Sequence, residues 1–345
     1  MTLYSPVPIG GADGRARTIE RSRRGDGMTF DSAMAVLRGA ATYVPFAYPL
    51  LRQRHMNADA ATADSSYRIW IKHLSLLHGA TGCGVPQVVA ELGPGDTLGT
   101  GVAALLSGAD RYFGIDVHPF ARNALTRDVA AGLCDLFAAR APAAVRGWPD
   151  FAPFLDARGF PSSVLSQSVL ARTLADARVA AILADVSRFT NDGHAGGRFL
   201  NYAAPYSASS IPDGAVDLFL SHSVLEHVAD VPAALRLMHR ALKAGGLMSH
   251  QFDLKSHGIT RSWDGHRAFE RGLWKIVVGR RPFLVNRLPY SAMIEHIEQA
   301  GFRILDARRL FEQPTLDRSS LCREWQRASD EDLRTIGGFV QAQKI

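Results

Sequence analysis

VVAELGPGDTLGTG, residues 88–101, decides the fold of this chain. Its first five residues form a short apolar run, typical of a strand that is covered on both faces of a sheet. Gly93 and Gly95 then allow a sharp turn and let a ligand approach the backbone closely. A helix should follow, capped by Asp96 or Thr97. A strand, a glycine turn and a helix in this order predict a ligand-binding loop in a parallel α/β sheet.

A second apolar run, RYFGIDV at residues 111–117, supports this interpretation. It ends in Asp116, about twenty residues after the glycines, where a carboxylate accepts hydrogen bonds from ribose hydroxyls. The alternative is that Asp116 is only a helix cap or a surface acid. The dinucleotide fingerprint G-x-G-x-x-G would need a glycine at Leu98. Glu91 would repel a pyrophosphate but can engage an ammonium group, so the loop favours a ligand that carries ammonium over a dinucleotide.

Strand and helix patterns alternate along the rest of the chain, which predicts a Rossmann-like α/β fold with helices on both faces of the sheet. A helical face precedes the first strand, formed by Tyr67, Trp70, Ile71, Leu74 and Leu77. Further strands are expected at residues 216–221, 247–253, 302–310 and 337–343, the last of them at an edge, and further helices at 233–246 and 291–301.

Three consecutive segments are predicted along the chain, and the third contains two further parts. Residues 1–27 are rich in Gly and Arg without hydrophobic periodicity and form a disordered basic tail. Residues 28–85 form an N-terminal helical segment, and residues 86–345 form the sheet domain. Within that domain we expect a helical insertion at residues 118–200 and a cover segment at 255–290, both leaving the sheet on the side where such folds bind ligands.

Composition narrows the class of protein. The 345 residues are 47% hydrophobic and 21% charged, enough for a sizeable core. No apolar run approaches the roughly 20 residues of a membrane helix. Only three cysteines occur, without C-x-x-C spacing, which favours a reducing cytoplasm over a disulfide framework. Part of the net charge of +6 lies in the N-terminal tail, so it gives no strong reason to expect a nucleic-acid partner.

These motifs together resemble the class I S-adenosylmethionine-dependent methyltransferases of the type 11 branch. The likeness rests on ELGPGDTLGTG, on GIDV and on VDLFLSHSVLEHVADVPAALRLMHRALKAGG at residues 216–246, and it covers over half of the chain. It implies a seven-stranded, mostly parallel sheet whose last strand is antiparallel. One departure is Thr97, where the family pattern has its third glycine. The acid near adenine has no clear counterpart, with Asp185 and residues 201–205 as candidates.

The resemblance implies S-adenosylmethionine as the cofactor. Glu91, Gly93 and Gly95 would cradle its methionine part, and Asp116 would hold the ribose. The full set of expected cofactor-binding residues is Glu91, Gly93, Pro94, Gly95, Asp116, Val117 and Ser221.

The catalytic side is expected at the carboxyl ends of the next two strands. His222 follows the fourth strand of the family pattern and suits a general base, because imidazole titrates near neutral pH. His250 is the second candidate, in a strand that should otherwise be apolar. Asp253 and His257 follow it as candidate acceptor-binding residues. A satisfied polar network explains this second group equally well.

Other features carry structural interpretations. Ser223 and Glu226 match a capping box, which would place His227 in the first turn of a helix. No carboxylate and amide set with convincing spacing is found, so we expect no metal. The arginines and tryptophans of residues 261–281 suit either an anionic or sugar acceptor or a solvated face.

We therefore expect methyl transfer to a small-molecule or saccharide acceptor at oxygen. The strand end SHSV lacks the N-P-P-Y-like turn of base-amine methylation, which disfavours nucleic acid. Two alternatives stay open: a non-catalytic cofactor- or ligand-binding module on the same fold, and an NAD-dependent oxidoreductase. The sequence does not determine the oligomeric state.

Overall fold

The computed structural model describes residues 30–44, 61–143, 147–189, 194–281 and 283–345. The tail predicted to be disordered, residues 1–27, lies outside this part of the chain. Across the described ranges, no helix has both the length and the apolar character that crossing a membrane requires.

One mixed sheet organises the described residues. Its strands lie in the order β3-β4-β2-β1-β5-β6-β8-β7. Neighbours from β4 to β6 are parallel, whereas β8 is antiparallel to both β6 and β7. The predicted seven-stranded, mostly parallel sheet is confirmed, and β3 adds a three-residue antiparallel strand at one edge. The bounds are β1 Val88–Leu92, β2 Arg111–Ile115, β3 His194–Gly196, β4 Leu200–Ala203, β5 Val216–His222, β6 Leu242–Asp253, β7 Phe302–Phe311 and β8 Thr335–Lys344.

The last strand, β8, corrects one expectation. It is not at an edge but lies between β6 and β7, with register pairs from Leu247↔Gln343 to Asp253↔Gly337. The first eight of its ten residues are buried. An interior position explains why its sequence, GGFVQAQ, is apolar and small on both faces.

Helices cover both faces of the sheet, as expected. The predicted helix over residues 233–246 is shorter than expected, because residues 242–246 already belong to β6. The helices are α1 Phe30–Ala41, α2 Ala63–Thr81, α3 Gly99–Ser107, α4 Asn123–Ala138, α5 Gln167–Thr173, α6 Asp176–Arg188, α7 Val231–Ala241, α8 Arg271–Val278, α9 Tyr290–Gln299, α10 Arg323–Gln326 and α11 Asp330–Arg334.

Successive side chains of a strand point to opposite faces of the sheet, so the core has two layers. On the first face, α2, α3, α4 and α6 pack against β1, β2 and β4 through a cluster that includes Trp70, Leu105, Leu133 and Val186. The five residues predicted to form one face of α2 are all buried there. On the second face, α7 and α9 pack against the alternate residues of the same strands. Much of the predicted insertion at 118–200 therefore completes the first layer.

The predicted cover at residues 255–290 contains a short turn of 3₁₀ helix at 265–268 and then α8. A separate apolar cluster joins α1 to α8 through Ala35, Trp274 and Val277. The buried Arg267 guanidinium donates to the carbonyls of Leu333 and Thr335 at 2.7 and 2.9 Å. This segment is therefore tied both to the N-terminal helix and to the start of β8.

The strand order reverses between β1 and β5. The chain runs outward from β1 through β2 to β4 and then returns to β5, which pairs with β1 on its other side. A crevice opens at the carboxyl ends of strands where such a reversal occurs, and open α/β sheets bind their ligands there. The glycine loop after β1, Asp116 after β2 and the segment after β5 all reach this edge.

Candidate functional site

The glycine loop has the geometry that its sequence predicts. Gly93 and Gly95 adopt φ values of 68° and 75°, a region that favours glycine. The Gly93 amide donates to the Ile115 carbonyl at 2.8 Å, which ties the loop to β2. A Cβ on Gly93 would lie 2.8 Å from the methyl carbons of Val224, whereas one on Gly95 would meet nothing within 4 Å. Gly95 therefore borders open space that a ligand can enter.

The start of α3 differs slightly from expectation. Its N-cap is Leu98, without a side-chain cap, although Thr97 Oγ1 accepts from the Gly99 amide at 3.2 Å. A Cβ on Gly101 would lie 2.4 Å from the Tyr112 ring, so the close packing of this helix on the sheet requires a glycine.

Glu91 is buried behind the glycine loop. The Tyr112 hydroxyl donates to Glu91 Oε2 at 2.6 Å, and Thr100 makes a further side-chain hydrogen bond. Burial raises the pKa of Glu91 to about 7, against the opposing effect of these two bonds. No lysine or arginine of the described residues forms an ion pair with this carboxylate.

Asp116 joins the glycine loop to the end of β2. Its carboxylate accepts from the backbone amides of Val117, at 2.7 Å, and also of His118 and Gly95. Burial raises the pKa of Asp116 to about 6, and these backbone bonds oppose the rise. The backbone of Asp116 also bonds to Ala203 and Tyr206, so the segment after β4 forms a wall of the same crevice. Val117 is exposed beside it.

The two candidates for the contact near adenine, Asp185 and residues 201–205, lie apart in the structure. Asp185 accepts from the amides of Phe199 and Leu200, at the amino end of β4 and away from the crevice. Residues 203–206, in contrast, reach the carboxyl end beside Asp116. Of the two candidates, only the stretch that follows β4 is placed to contact a ligand.

The two candidate bases lie on opposite faces of the sheet. His250 is completely buried, and its Nδ1 lies 2.7 Å from the hydroxyl oxygen of Ser221, its register partner on β5. Burial lowers the pKa of His250 to about 3. Ser221 is equally buried, so neither side chain reaches the crevice. His250 Nε2 has no hydrogen-bond partner among the described residues, so the expected roles of His250 as a base and of Ser221 as a cofactor contact stay predictions.

His222 ends β5 on the first face and stays partly exposed. Its Nδ1 lies 3.4 Å from His73 Nε2 on α2. Burial and the nearby cations Lys72 and Arg68 hold the pKa of His222 well below its usual range. The imidazole is therefore neutral at physiological pH.

Helix α2 contributes residues that the sequence did not suggest. The Lys72 ammonium donates to Gln251 Oε1 next to His222, and His73 Nδ1 lies 2.7 Å from the Ser249 hydroxyl. Burial lowers the pKa of Lys72 to about 8. The sequence carries one indication of these residues: Lys72 and His73 are adjacent polar residues within a mainly apolar helical stretch, YRIWIKHLSLL.

The predicted capping box is wrong. Ser223 is exposed with φ 56°, a single 3₁₀ turn spans Leu225–His227, and α7 is capped by Asp230 instead. Glu226 Oε1 accepts from the Asp253 amide at 3.0 Å, across to the end of β6. The segment after β5 is thus held to β6 rather than wound into a helix.

Asp253 and His257, the candidate acceptor-binding residues, lie together beside this turn. His257 Nε2 is 4.0 Å from Asp253 Oδ1, and the His257 ring contacts the His227 ring with centroids 4.9 Å apart. Both Asp253 and His257 keep about a third of their side chains exposed, at 31% each. They can therefore meet a molecule that enters at the ends of β5 and β6.

Part of the sequence is similar to a known protein family. A model of the methyltransferase domain family matches residues 162–249, which include β4, β5, α7 and the first part of β6. This match spans less than half of the chain and shows that the matched stretch is similar to the methyltransferase domain family. No curated protein matches the chain as a sequence relative.

Many solved structures are similar to this chain, among them the following two. An S-adenosylmethionine-dependent methyltransferase from Mesorhizobium loti is 16% identical, with 82% of this chain and 98% of that chain covered and a TM-score of 0.39. Phosphoethanolamine N-methyltransferase 2 from Haemonchus contortus, in complex with S-adenosylmethionine, is 12% identical, with 84% and 58% covered and a TM-score of 0.39. The chain thus spans little more than half of the second protein, and no residue role is transferred from either.

The chemistry of the crevice suits S-adenosylmethionine, the cofactor expected from the sequence. Glu91 and Asp116 are two buried carboxylates, neither of them ion-paired within the described ranges, and Gly95 borders open space. A cationic ligand with hydroxyl groups compensates such carboxylates, whereas a diphosphate would be repelled.

Three arginines of the predicted cover segment, residues 255–290, make contacts with other residues of this chain. Arg271 makes a bidentate ion pair with Glu324, with its closest contact at 3.0 Å. Arg280 lies over the Tyr43 ring, and Arg281 donates to carbonyls at the end of α8. These contacts favour the solvated-face interpretation over an anion site.

Proposed function

We propose that this chain transfers a methyl group from S-adenosylmethionine to a hydroxyl oxygen of a small-molecule or saccharide acceptor. The observation that carries the proposal is His222. Its neutral, partly exposed imidazole ends β5, the strand that pairs with β1 where the glycine loop begins. A base at this place is positioned to take the proton of an acceptor hydroxyl.

The cofactor supplies an electrophilic methyl group on a sulfonium. The protein contributes alignment, since an in-line displacement needs the acceptor oxygen close to the methyl group and on its far side. We assign the backbone of Gly93, Pro94 and Gly95, with the Glu91 carboxylate, to the methionine part. Asp116 and Val117 are assigned to the ribose.

The acceptor side is assigned to Asp253 and His257. An acidic oxygen and an imidazole offer both a hydrogen-bond acceptor and a donor, which suits a hydroxyl-rich molecule. His222 ends β5 and Asp253 ends β6, the neighbouring strand, so these residues lie at the same edge of the sheet as the glycine loop. The chain's three cysteines are free, which agrees with the proposed cytoplasmic setting.

The test compares His222→Gln with wild type. Transfer of a labelled methyl group should be measured to a panel of phenols, sugars and amines, together with the affinity for S-adenosylhomocysteine. If His222 is the base, turnover on a hydroxyl acceptor should fall about 10²–10⁴-fold while affinity for S-adenosylhomocysteine persists.

His296→Gln is the matched control, because His296 is a half-buried histidine on α9 away from the crevice. Transfer to amines alone would contradict the oxygen assignment. Binding of S-adenosylhomocysteine without transfer to any acceptor would favour a non-catalytic binding module.

A further inference from the structure

We propose that Glu226, His227 and His257 form a binding site for a divalent transition-metal cation at the ends of β5 and β6. One ligand atom from each of these residues lies within 4.8 Å of the other two. This arrangement reverses the expectation from the sequence that the chain holds no metal. Sequence spacing gave no signal, because thirty residues separate His227 from His257.

Hydrogen bonds from the cover segment hold in place the turn that carries two of these residues. The 3₁₀ turn Leu225–His227 presents two of the ligands directly after β5. Asn286, from the cover, fixes that turn by donating through Nδ2 to the carbonyls of Leu225 and Val228 at 2.8 and 2.9 Å. Its own amide donates to the Glu226 carbonyl at 2.6 Å. A turn that is clamped in this way is preorganised for ligation.

An unpartnered carboxylate oxygen points to a cation. Glu226 is 1% exposed, and while Oε1 accepts from the Asp253 amide, the buried Oε2 has no hydrogen-bond partner among the described residues. The nearby Lys255 ammonium is paired with Asp253 instead, at 3.4 Å. A buried carboxylate oxygen without a donor is costly, and a bound cation removes that cost.

The donor set indicates the class of cation. Two imidazoles and one carboxylate suit Zn²⁺ and its first-row neighbours rather than Mg²⁺ or Ca²⁺, which prefer oxygen ligands. Donors about 2.1 Å from one ion lie at most about 4.2 Å apart, so the cluster must close slightly. His257 sits in an exposed loop with φ 49° and can supply that movement. Asp253, 4.0 Å from His257, can orient its ring.

Three protein ligands leave coordination positions open. The site faces the same edge of the sheet as His222, so an acceptor hydroxyl bound to the cation would lose its proton more readily. This catalytic role rests on the proposed function, whereas metal binding itself does not.

The experiment uses the full chain after treatment with a chelator. Co²⁺ should give ligand-field absorption in the visible range, and Zn²⁺ should bind with one-to-one stoichiometry by calorimetry. Glu226→Gln keeps an acceptor for the Asp253 amide, and His257→Gln changes an exposed residue, so both variants should fold. Each should weaken Zn²⁺ binding by at least about 10–100-fold, whereas His296→Gln should bind like wild type.

Zn²⁺ affinity in both variants equal to that of wild type, or no Co²⁺ absorption in wild type, would overturn the site. Parallel titration with S-adenosylhomocysteine separates this inference from the proposed function. Wild type that binds S-adenosylhomocysteine but no metal would refute the metal site alone. Metal binding without any methyl transfer would refute only the proposed activity.

Discussion

At the scale of single residues, the buried Glu91 leads us to predict how the free energy of unfolding depends on pH. Its pKa rises from 4.5 to about 7 on folding, so between these values the folded chain binds more protons than the unfolded chain. The free energy of unfolding should therefore fall as pH rises from about 4.5 to about 7 and stay low above. Glu91→Gln removes this term, which is at most about 3 kcal/mol.

Melting curves of Glu91→Gln and wild type without cofactor provide the measurement. The melting temperature of the variant relative to wild type should increase from pH 5 to pH 8. The same variant should bind S-adenosylhomocysteine more weakly, because the charge opposite the ammonium group is lost. A melting difference that does not depend on pH would show that Glu91 is ionised in the folded chain throughout this range.

Asp116 makes a prediction about cofactor affinity. Asp116→Asn removes a charged acceptor for ribose hydroxyls and should weaken S-adenosylhomocysteine binding by roughly 1.5–3 kcal/mol. Calorimetry near pH 7.5 measures this change. Asp213→Asn is the control, since Asp213 is an exposed acid paired with Arg240 at 2.7 Å. Unchanged affinity in Asp116→Asn would mean that Asp116 only orders the glycine loop.

Single residues were predictable from sequence where local chemistry decides them. The positive φ angles of Gly93 and Gly95 and the place of Asp116 follow from the order of strand, turn and helix. Lys72 and His73 were not predictable, because they meet Gln251 and Ser249 across more than 170 residues of sequence. A polar pair inside an apolar helix gives no sign of which strand lies opposite.

At the scale of elements, the close contact at Gly39 leads us to predict what holds α1 against α8. A Cβ on Gly39 would lie 2.1 Å from the Ile276 carbonyl of α8, a backbone atom that cannot move aside cheaply. Gly39→Ala should therefore separate α1 from α8 while the sheet stays folded. Hydrogen exchange across residues 30–41 should rise markedly, with little change in β1 or β5.

Gly272→Ala is the matched control, because a Cβ at this helical position of α8 meets nothing within 4 Å. That substitution should be neutral or should stabilise the helix by up to about 1 kcal/mol. Equal hydrogen exchange in Gly39→Ala and wild type would show that α8 shifts to accept the methyl group.

Elements were predicted better than their places in the sheet. Apolar runs gave β1, β2, β5, β6 and β7 within a few residues, since a buried strand needs continuous apolar character. The interior place of β8 was missed because periodicity carries no information about neighbours. The segment after β5 was mistaken for a capped helix, because Glu226 bonds to the distant Asp253 amide rather than to its own turn.

At the scale of the whole molecule, the crevice is assembled from widely separated parts of the chain. The glycine loop, Asp116, residues 203–206 and His222 come from four strands, and α2 reaches under the last of them from the N-terminal side. Such a site exists only in the folded chain. Cofactor binding must therefore be linked to global stability.

This linkage gives the last prediction, which discriminates between cofactors. A ligand at about 100 times its dissociation constant that binds only the folded chain adds about 2.7 kcal/mol to the free energy of unfolding. S-adenosylhomocysteine should raise the melting temperature by several degrees on this basis. NAD at the same concentration should leave it unchanged, because the Glu91 carboxylate, directly before the glycine loop, would repel a pyrophosphate. Asp116→Asn should reduce the shift from S-adenosylhomocysteine, since its affinity is lower. A shift with NAD and none with S-adenosylhomocysteine would contradict the assignment of the crevice and favour a hydride-transfer enzyme.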